Sequence, residues 1–123
     1  MILLDTHVLL EATGNQEPTH FGPASISAVD EAWLRREVAV SAISFWEIGL
    51  LVEKRRLRLS NSVGNIRETL LVHGVQEISV DGAIAIHAAA LEDFHRDPAD
   101  RIIVSTALLA GHRLLTRDRE ILN

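Results

Sequence analysis

The sequence predicts an α/β fold in which helices cover both faces of a short, mainly parallel β-sheet. Short apolar segments alternate along the chain with segments of helical length. The short segments are apolar on both faces, which is typical of parallel strands buried between helix layers. At 123 residues the chain has the length of one domain with one core, so we expect a single domain over residues 1–123.

Four segments have the character of strands, because they are short and apolar and are bounded by helical or turn-like sequence. They are residues 2–5, 38–41, 75–80 and 112–116. Residues 14–23, which are rich in Gly and Pro, are expected to form a loop.

Helices are predicted between these strands from the spacing of apolar residues and from capping residues. They cover residues 7–12, about 25–37, 43–57, 60–74, 82–94 and 97–111. Ser25 or Ser27 is the expected N-cap of the second helix, and Ser44 that of the third. Gly74 is the expected C-cap of the fourth helix, and Gly111 ends the sixth.

Composition excludes several classes of protein. Acidic residues outnumber basic ones by 17 to 12, and the net charge of −5 argues against a protein that coats nucleic acid by bulk attraction. No apolar run is long enough to span a membrane, and the N-terminus lacks the features of a secretory signal. With no cysteine in the chain, we expect a cytoplasmic protein without disulfides or thiolate metal sites.

Acidic residues recur where predicted strands end or where the next helix begins. Asp5 ends the first strand, Glu47 lies early in the helix after the second, and Asp118 follows the last. Asp97 and Asp100 begin the helix that leads into that last strand. In a parallel sheet the acids at strand ends point to the same edge, where functional crevices form. Clustered carboxylates require compensating protons or cations, and oxygen ligands suit Mg²⁺ or Mn²⁺.

The two aspartates of the DPAD segment are expected to differ in role. Asp97 precedes Pro98, which favours the first helical position, so Asp97 is the natural N-cap. Asp100 then falls at the third helical position, where its side chain can turn towards a cation. Asp97 could also contact the metal through water.

Four segments together resemble the PIN-domain ribonucleases, in particular the VapC-type toxins of toxin–antitoxin pairs. They are ILLDTHVLL, VSAISFWEI, HRDPADRIIVSTALLAG and LLTRD. Each motif is weak alone, but the four occur in the family's order over nearly the whole chain.

The resemblance implies a three-layer α/β/α sandwich, PIN-like, and a metal-dependent endoribonuclease that cleaves RNA by metal-activated water. It implies that the acidic quartet around Mg²⁺ or Mn²⁺ is Asp5, Glu47, Asp100 and Asp118. It also implies a small antitoxin protein that blocks the site, and a homodimer as the usual unit. The sequence departs from the family at Glu11, where a tryptophan is common, at the NQEPTHFGP insert, and at ILN, where many relatives continue into a final short strand.

Residues beside the acids could assist them. Thr6 and Thr116 could orient a carboxylate or a bound water, or could be ordinary strand-end threonines. Arg101, Arg117 and Arg119 could bind RNA phosphates, because the planar guanidinium donates two hydrogen bonds at once.

More distant residues leave two interpretations open. The basic run at 54–58 could be a solvated helix end, or could contact RNA or an antitoxin. The apolar faces of residues 26–34 and 43–52 could complete the core or form a groove for an antitoxin helix. We expect His7 and His95 to be surface or capping residues rather than general acids. Trp46 is expected in the core.

Other functions compatible with the sequence are a non-catalytic PIN-like interaction module and a nuclease that processes RNA or DNA rather than a toxin. A phosphotransferase with Asp5 as nucleophile would normally carry a second aspartate two residues later, where this chain has His7.

Overall fold

A computed structural model describes residues 1–15, 23–91 and 97–116, with the backbone alone for residues 23–28. Two helices follow each of the first three strands, in the order that the sequence predicts. The strands are β1 (Ile2–Leu4), β2 (Val38–Ser41), β3 (Gln76–Ile78) and β4 (Arg113–Leu115). The helices are α1 (Thr6–Ala12), α2 (Pro23–Leu34), α3 (Ile43–Glu53), α4 (Val63–Val72), α5 (Gly82–Ala90) and α6 (Pro98–Ala110).

The four strands of the described ranges form one parallel sheet in the order β3-β2-β1-β4. Leu4 of β1 pairs with Val40 on one side and with Leu115 on the other. The residues that follow these positions, Asp5 among them, therefore emerge together at the carboxyl edge of the sheet. This register confirms the predicted mainly parallel arrangement.

Each face of the sheet carries its own apolar cluster, because successive strand residues point to opposite sides. Leu4 and Val40 pack with Ile48 on one face, in a cluster that includes residues of α1, α2, α3 and α4. Leu3 and Ala39 pack with Ile103 of α6 on the other face. The fold is thus the expected sandwich of helices, sheet and helices.

The helices α2 and α3 both end earlier than predicted, and beyond the end of each an arginine adopts a left-handed conformation. Arg36 has φ of 57° beyond α2, and Arg55 has φ of 57° beyond α3. Left-handed backbone terminates a helix, and sequence spacing alone does not signal it at an arginine. The helix α2 also starts at Pro23, so Ser25 and Ser27 lie within it and neither is its cap.

The predicted cap of α3 is also wrong. The helix begins at Ile43 after Ala42, and Ser44 lies inside it with its side chain fully buried. The backbone N–H of Ile43 instead donates to the Ser41 hydroxyl at 3.2 Å.

Trp46 is a further correction, because it is 51% exposed rather than part of the core. Its neighbours Phe45 and Ile48 fill the apolar cluster on that side of the sheet. The core therefore takes its apolar area from these two side chains and leaves the indole at the surface.

Within the described ranges, no helix is both long enough and apolar enough to cross a membrane.

Candidate metal centre

Asp5 holds a fixed position at the carboxyl edge of the central strand. Its side chain is 5% exposed and caps α1, where Oδ1 accepts the backbone N–H of Val8 at 2.8 Å. Its other oxygen accepts a hydrogen bond from the hydroxyl of Thr116, just beyond β4. Both carboxylate oxygens are thus hydrogen-bonded, which compensates much of the cost of burying the charge.

Three other carboxylates converge beside this edge. One oxygen from each of Glu47, Asp97 and Asp100 lies within 4.8 Å of the other two. Glu47 comes from the second turn of α3, and the two aspartates come from the start of α6. Asp5 is outside this group of three but is close enough for its charge to raise the pKa of Glu47.

The start of α6 explains how Asp97 and Asp100 meet. Asp97 is the N-cap and Pro98 occupies the first turn, as the sequence predicts. Asp97 Oδ1 accepts the backbone N–H of Asp100 at 2.9 Å. This bond uses one of the two Asp97 oxygens. Asp97, predicted to assist the ligands, thus lies in the same carboxylate group as Asp100.

The surroundings of Glu47 shift the pKa of its carboxyl. Burial raises the pKa of its carboxyl above the ordinary value, and the charges of Asp97 and Asp5 raise it further. A hydrogen bond with Thr6 and the charge of His7 act in the opposite direction. Among the atoms of the described ranges, its buried Oε1 finds no hydrogen-bond partner.

Two buried hydroxyls, those of Thr6 and Ser44, form a hydrogen-bonded pair next to Glu47. The Thr6 and Ser44 hydroxyls lie 3.0 Å apart, and both side chains are almost fully buried. Because Thr6 also hydrogen-bonds to Glu47, the pair restrains the carboxylate. Sequence reasoning missed Ser44 in this place, although its spacing of three residues before Glu47 puts both on one helix face.

The residues present fit a hard divalent cation. They offer only carboxylate oxygens, which Mg²⁺ and Mn²⁺ prefer to nitrogen or sulfur. Three acids this close repel one another, and a buried oxygen without a partner is costly. A bound cation would remove both penalties.

The remaining predicted site residues fall into two groups. Arg101 donates from Nε to the Ala88 carbonyl at 3.0 Å and from Nη2 to the Leu91 carbonyl at 3.0 Å, which ties α6 to the end of α5. Its contact with RNA stays a prediction. Arg117, Asp118 and Arg119 lie outside the residues that the structure describes, as does His95.

Comparisons with known proteins agree with this architecture. A family model described as PIN domain matches residues 2–123. The chain is 36% identical over 121 residues to Ribonuclease VapC22 of Mycobacterium tuberculosis (strain ATCC 25618 / H37Rv), covering 98% of this chain and 88% of that protein.

Solved structures with the same fold include a toxin–antitoxin complex from Klebsiella pneumoniae, with a TM-score of 0.63 and 24% identity over 96% of this chain and 87% of that one. FitAcB from Neisseria gonorrhoeae gives a TM-score of 0.63 and 24% identity over 99% and 91% of the two chains. FitAB bound to an IR36 DNA fragment gives a TM-score of 0.67 and 24% identity, covering 99% of this chain and 88% of that one.

Proposed function

Because the chain belongs to the PIN domain family, we propose that it is a ribonuclease that hydrolyses RNA phosphodiester bonds with a divalent cation at Glu47, Asp97 and Asp100. The observation that carries this proposal is the convergence of these three carboxylates within 4.8 Å, with a buried oxygen of Glu47 left without a partner among the described residues. The likeness to a protein named as a ribonuclease supports RNA as the substrate.

The carboxylates of this proposal come from different elements of the fold. Asp97 and Asp100 present their charge at the start of α6, and Glu47 completes the group from α3. Asp5 adds a fixed negative charge nearby, since two hydrogen bonds hold its orientation. Asp118, which lies outside the described residues, remains a predicted metal ligand together with Asp5, Glu47 and Asp100.

A cation bound here would supply the chemistry that the carboxylates lack, namely activation of water and neutralisation of charge that develops on the phosphate. We propose Mg²⁺ or Mn²⁺, because both favour oxygen ligands. The chain contributes orientation: Thr6 restrains Glu47, and Thr116 restrains Asp5. Hydrolysis adds water across one P–O bond, and the leaving oxygen takes up a proton.

The test compares Asp5 and Asp100 at the candidate site with Asp81, which caps a helix as Asp5 does but lies elsewhere. Asp5→Asn and Asp100→Asn should abolish RNA cleavage while the protein stays folded. Asparagine caps a helix as well as aspartate does, so α1 keeps its cap in Asp5→Asn, and Asp100 is not the cap of α6. Asp81→Asn is the matched control. Asp81 caps α5 through the N–H of Ile84 at 2.9 Å and lies outside the carboxylate group.

The readouts are cleavage of RNA and DNA in parallel and calorimetric titration with Mg²⁺ or Mn²⁺. Metal binding that is lost in Asp100→Asn but kept in Asp81→Asn supports the proposal. Full activity of purified Asp5→Asn or Asp100→Asn contradicts it. Absence of metal binding would favour a non-catalytic module, and cleavage of DNA alone would favour a processing nuclease.

We further propose that this ribonuclease is the cytoplasmic toxin of a toxin–antitoxin pair, that a small antitoxin blocks it, and that it forms a homodimer. The fold shared with a toxin–antitoxin complex supports this context. Expression should arrest growth, Asp5→Asn should relieve the arrest, and the product of a small neighbouring reading frame should do the same. Light scattering of the purified protein measures the oligomeric state.

A further inference from the structure

A groove of about 250 Å³ opens between α3 and the start of α6, next to the carboxylate group. We refer to it as the Trp46 groove. Its lining includes Trp46, Glu47, Lys54, Arg56, Asp97 and Pro98. Because Glu47 and Asp97 are also members of the carboxylate group, the groove and the candidate metal centre are continuous.

The indole of Trp46 lies at the surface of this groove without a role in the core. It is 51% exposed, whereas Phe45 and Ile48 beside it pack into the apolar cluster. A large aromatic ring left half in water loses part of the free energy that its burial would contribute. Trp46 directly precedes Glu47 in the chain and lines the same groove, so it lies beside the candidate metal centre.

The charges of the groove are separated along its length. Glu47 and Asp97 mark one end, and Lys54 and Arg56 line the groove beyond the end of α3. From Glu47 to Lys54, α3 advances about 11 Å. Neither Lys54 nor Arg56 forms an ion pair with any residue of the described ranges, where the one salt bridge joins Arg67 and Glu77.

We propose that Trp46 stacks against an unpaired RNA base beside the cleaved bond, while Lys54 and Arg56 bind phosphates further along the strand. This inference rests on the proposed ribonuclease function and deepens it. It assigns Trp46, Lys54 and Arg56 to the binding of one RNA strand, since bases stack on aromatic side chains where they are not paired.

Charge and shape favour this occupant of the groove. The whole chain carries a net charge of −5, so general attraction to RNA is absent and local cations must hold the phosphates. An aromatic face next to two cations matches the alternation of base and phosphate in one strand. Such a platform tolerates any base, so we expect weak sequence preference at this position.

The fluorescence of Trp46 can report the proposed contact between its indole and an RNA base. The chain has two tryptophans and no tyrosine, so Trp33→Phe leaves Trp46 as the one indole. In this background, Asp100→Asn prevents turnover during titration. A short oligouridylate should quench Trp46 saturably, and an abasic ribose-phosphate oligomer of equal length should bind about tenfold to a hundredfold more weakly.

Steady-state cleavage by the otherwise unaltered protein gives an independent readout. Trp46→Leu should raise KM for single-stranded RNA by about tenfold or more and leave kcat nearly unchanged, because stacking stabilises bound substrate and transition state alike. Trp46→Phe should retain most of the affinity. Lys54→Gln and Arg56→Gln should each reduce the salt dependence of binding by about 0.7 in the log–log slope.

Arg35→Gln is the matched control for the two cations, because Arg35 is exposed but lies near the amino end of β2, at the opposite edge of the sheet. The salt dependence of RNA binding by Arg35→Gln should equal that of the parent protein. Equal affinity for the oligouridylate and the abasic oligomer would overturn the inference, as would an unchanged KM in Trp46→Leu.

Failure of this inference is distinguishable from failure of the proposed function. If the parent protein cleaves RNA and Trp46→Leu does so with equal KM, only the role of Trp46 is wrong. If the parent does not cleave RNA but Trp46 is quenched selectively by the oligouridylate, the groove binds RNA and the catalytic proposal is wrong.

Discussion

The side-chain hydroxyl of Thr116 donates a hydrogen bond to the carboxylate of Asp5, although the two residues are 111 positions apart in the chain. The parallel pairing of β1 with β4 creates this contact, since Leu4 and Leu115 are partners in the register. Each residue follows its strand by one position, so the sheet aligns them.

Thr116→Val should weaken both folding and catalysis. It removes the hydroxyl that donates to a buried Asp5 oxygen, so the free energy of unfolding should fall by about 1–3 kcal/mol. Loss of the orienting bond should lower RNA cleavage about 10–100-fold. Urea unfolding and initial cleavage rates measure the two effects. Thr116→Ser keeps the hydroxyl and should retain most of both, and equal losses in the two variants would contradict this role.

Glu47→Gln should stabilise the metal-free protein at neutral pH. Burial raises the pKa of Glu47 in the folded state, so folding favours the protonated carboxyl. That contribution is present below the ordinary value of 4.5 and is lost as the pH rises through the raised pKa. Glutamine does not ionise, so the free energy of unfolding of the variant should be higher than that of the parent at pH 7. This difference should disappear in acid.

Urea unfolding in chelator across this pH range measures the difference for Glu47→Gln. Saturating Mn²⁺ should then reverse the order, because a ligand that binds only the folded parent stabilises it by about 2.7 kcal/mol at a concentration of 100 times Kd. A parent that remains less stable than the variant under saturating metal would argue against a cation at Glu47.

Arg101→Met should destabilise the packing of α5 on α6. Arg101 donates to the carbonyls of Ala88 and Leu91, and a hydrogen bond with a charged donor contributes about 1.5–3 kcal/mol. We expect a loss of about 2 kcal/mol in the free energy of unfolding. The salt dependence of RNA binding separates this structural role from the predicted phosphate contact: an unchanged slope in Arg101→Met would rule out that contact.

Two glycines should respond to alanine with opposite signs. Gly111 ends α6 with φ of 68°, so Gly111→Ala should cost about 1 kcal/mol or more, even though no atom of the described residues other than its chain neighbours lies within 4 Å of the added methyl group. Gly49 lies inside α3 with equal free space, so Gly49→Ala should stabilise by up to about 1 kcal/mol. Thermal unfolding measures both changes, and a shared sign would contradict the conformational explanation.

The sequence predicts the strands well, because they follow from short-range rules, and it predicts that Glu47 and Asp100 come together. Three apolar residues before Asp5 mark a buried strand, and parallel topology then brings Asp5, Glu47 and Asp100 to one edge. The cap at Asp97 follows from Pro98 in the same way.

The errors arise where tertiary packing decides between equivalent positions. Phe45, Trp46 and Ile48 are all large and apolar, and only the direction in which α3 meets the sheet determines that Trp46 is left exposed. Ser44 appears suited to a helix cap, yet the chain enters α3 early enough to bury its hydroxyl against Thr6. Arg36 and Arg55 carry no local signal for left-handed backbone.

The central strand β1 is three residues long and ends directly at Asp5, which leaves the segment intolerant of length variation. Adjacent strand positions face opposite layers, so one inserted residue ahead of Asp5 would exchange the faces of Leu3 and Leu4 or displace the carboxylate from its partners. Any change in the number of residues here would therefore damage the hydrophobic layers and the acid together, whereas connections far from the carboxyl edge can lengthen without such coupling.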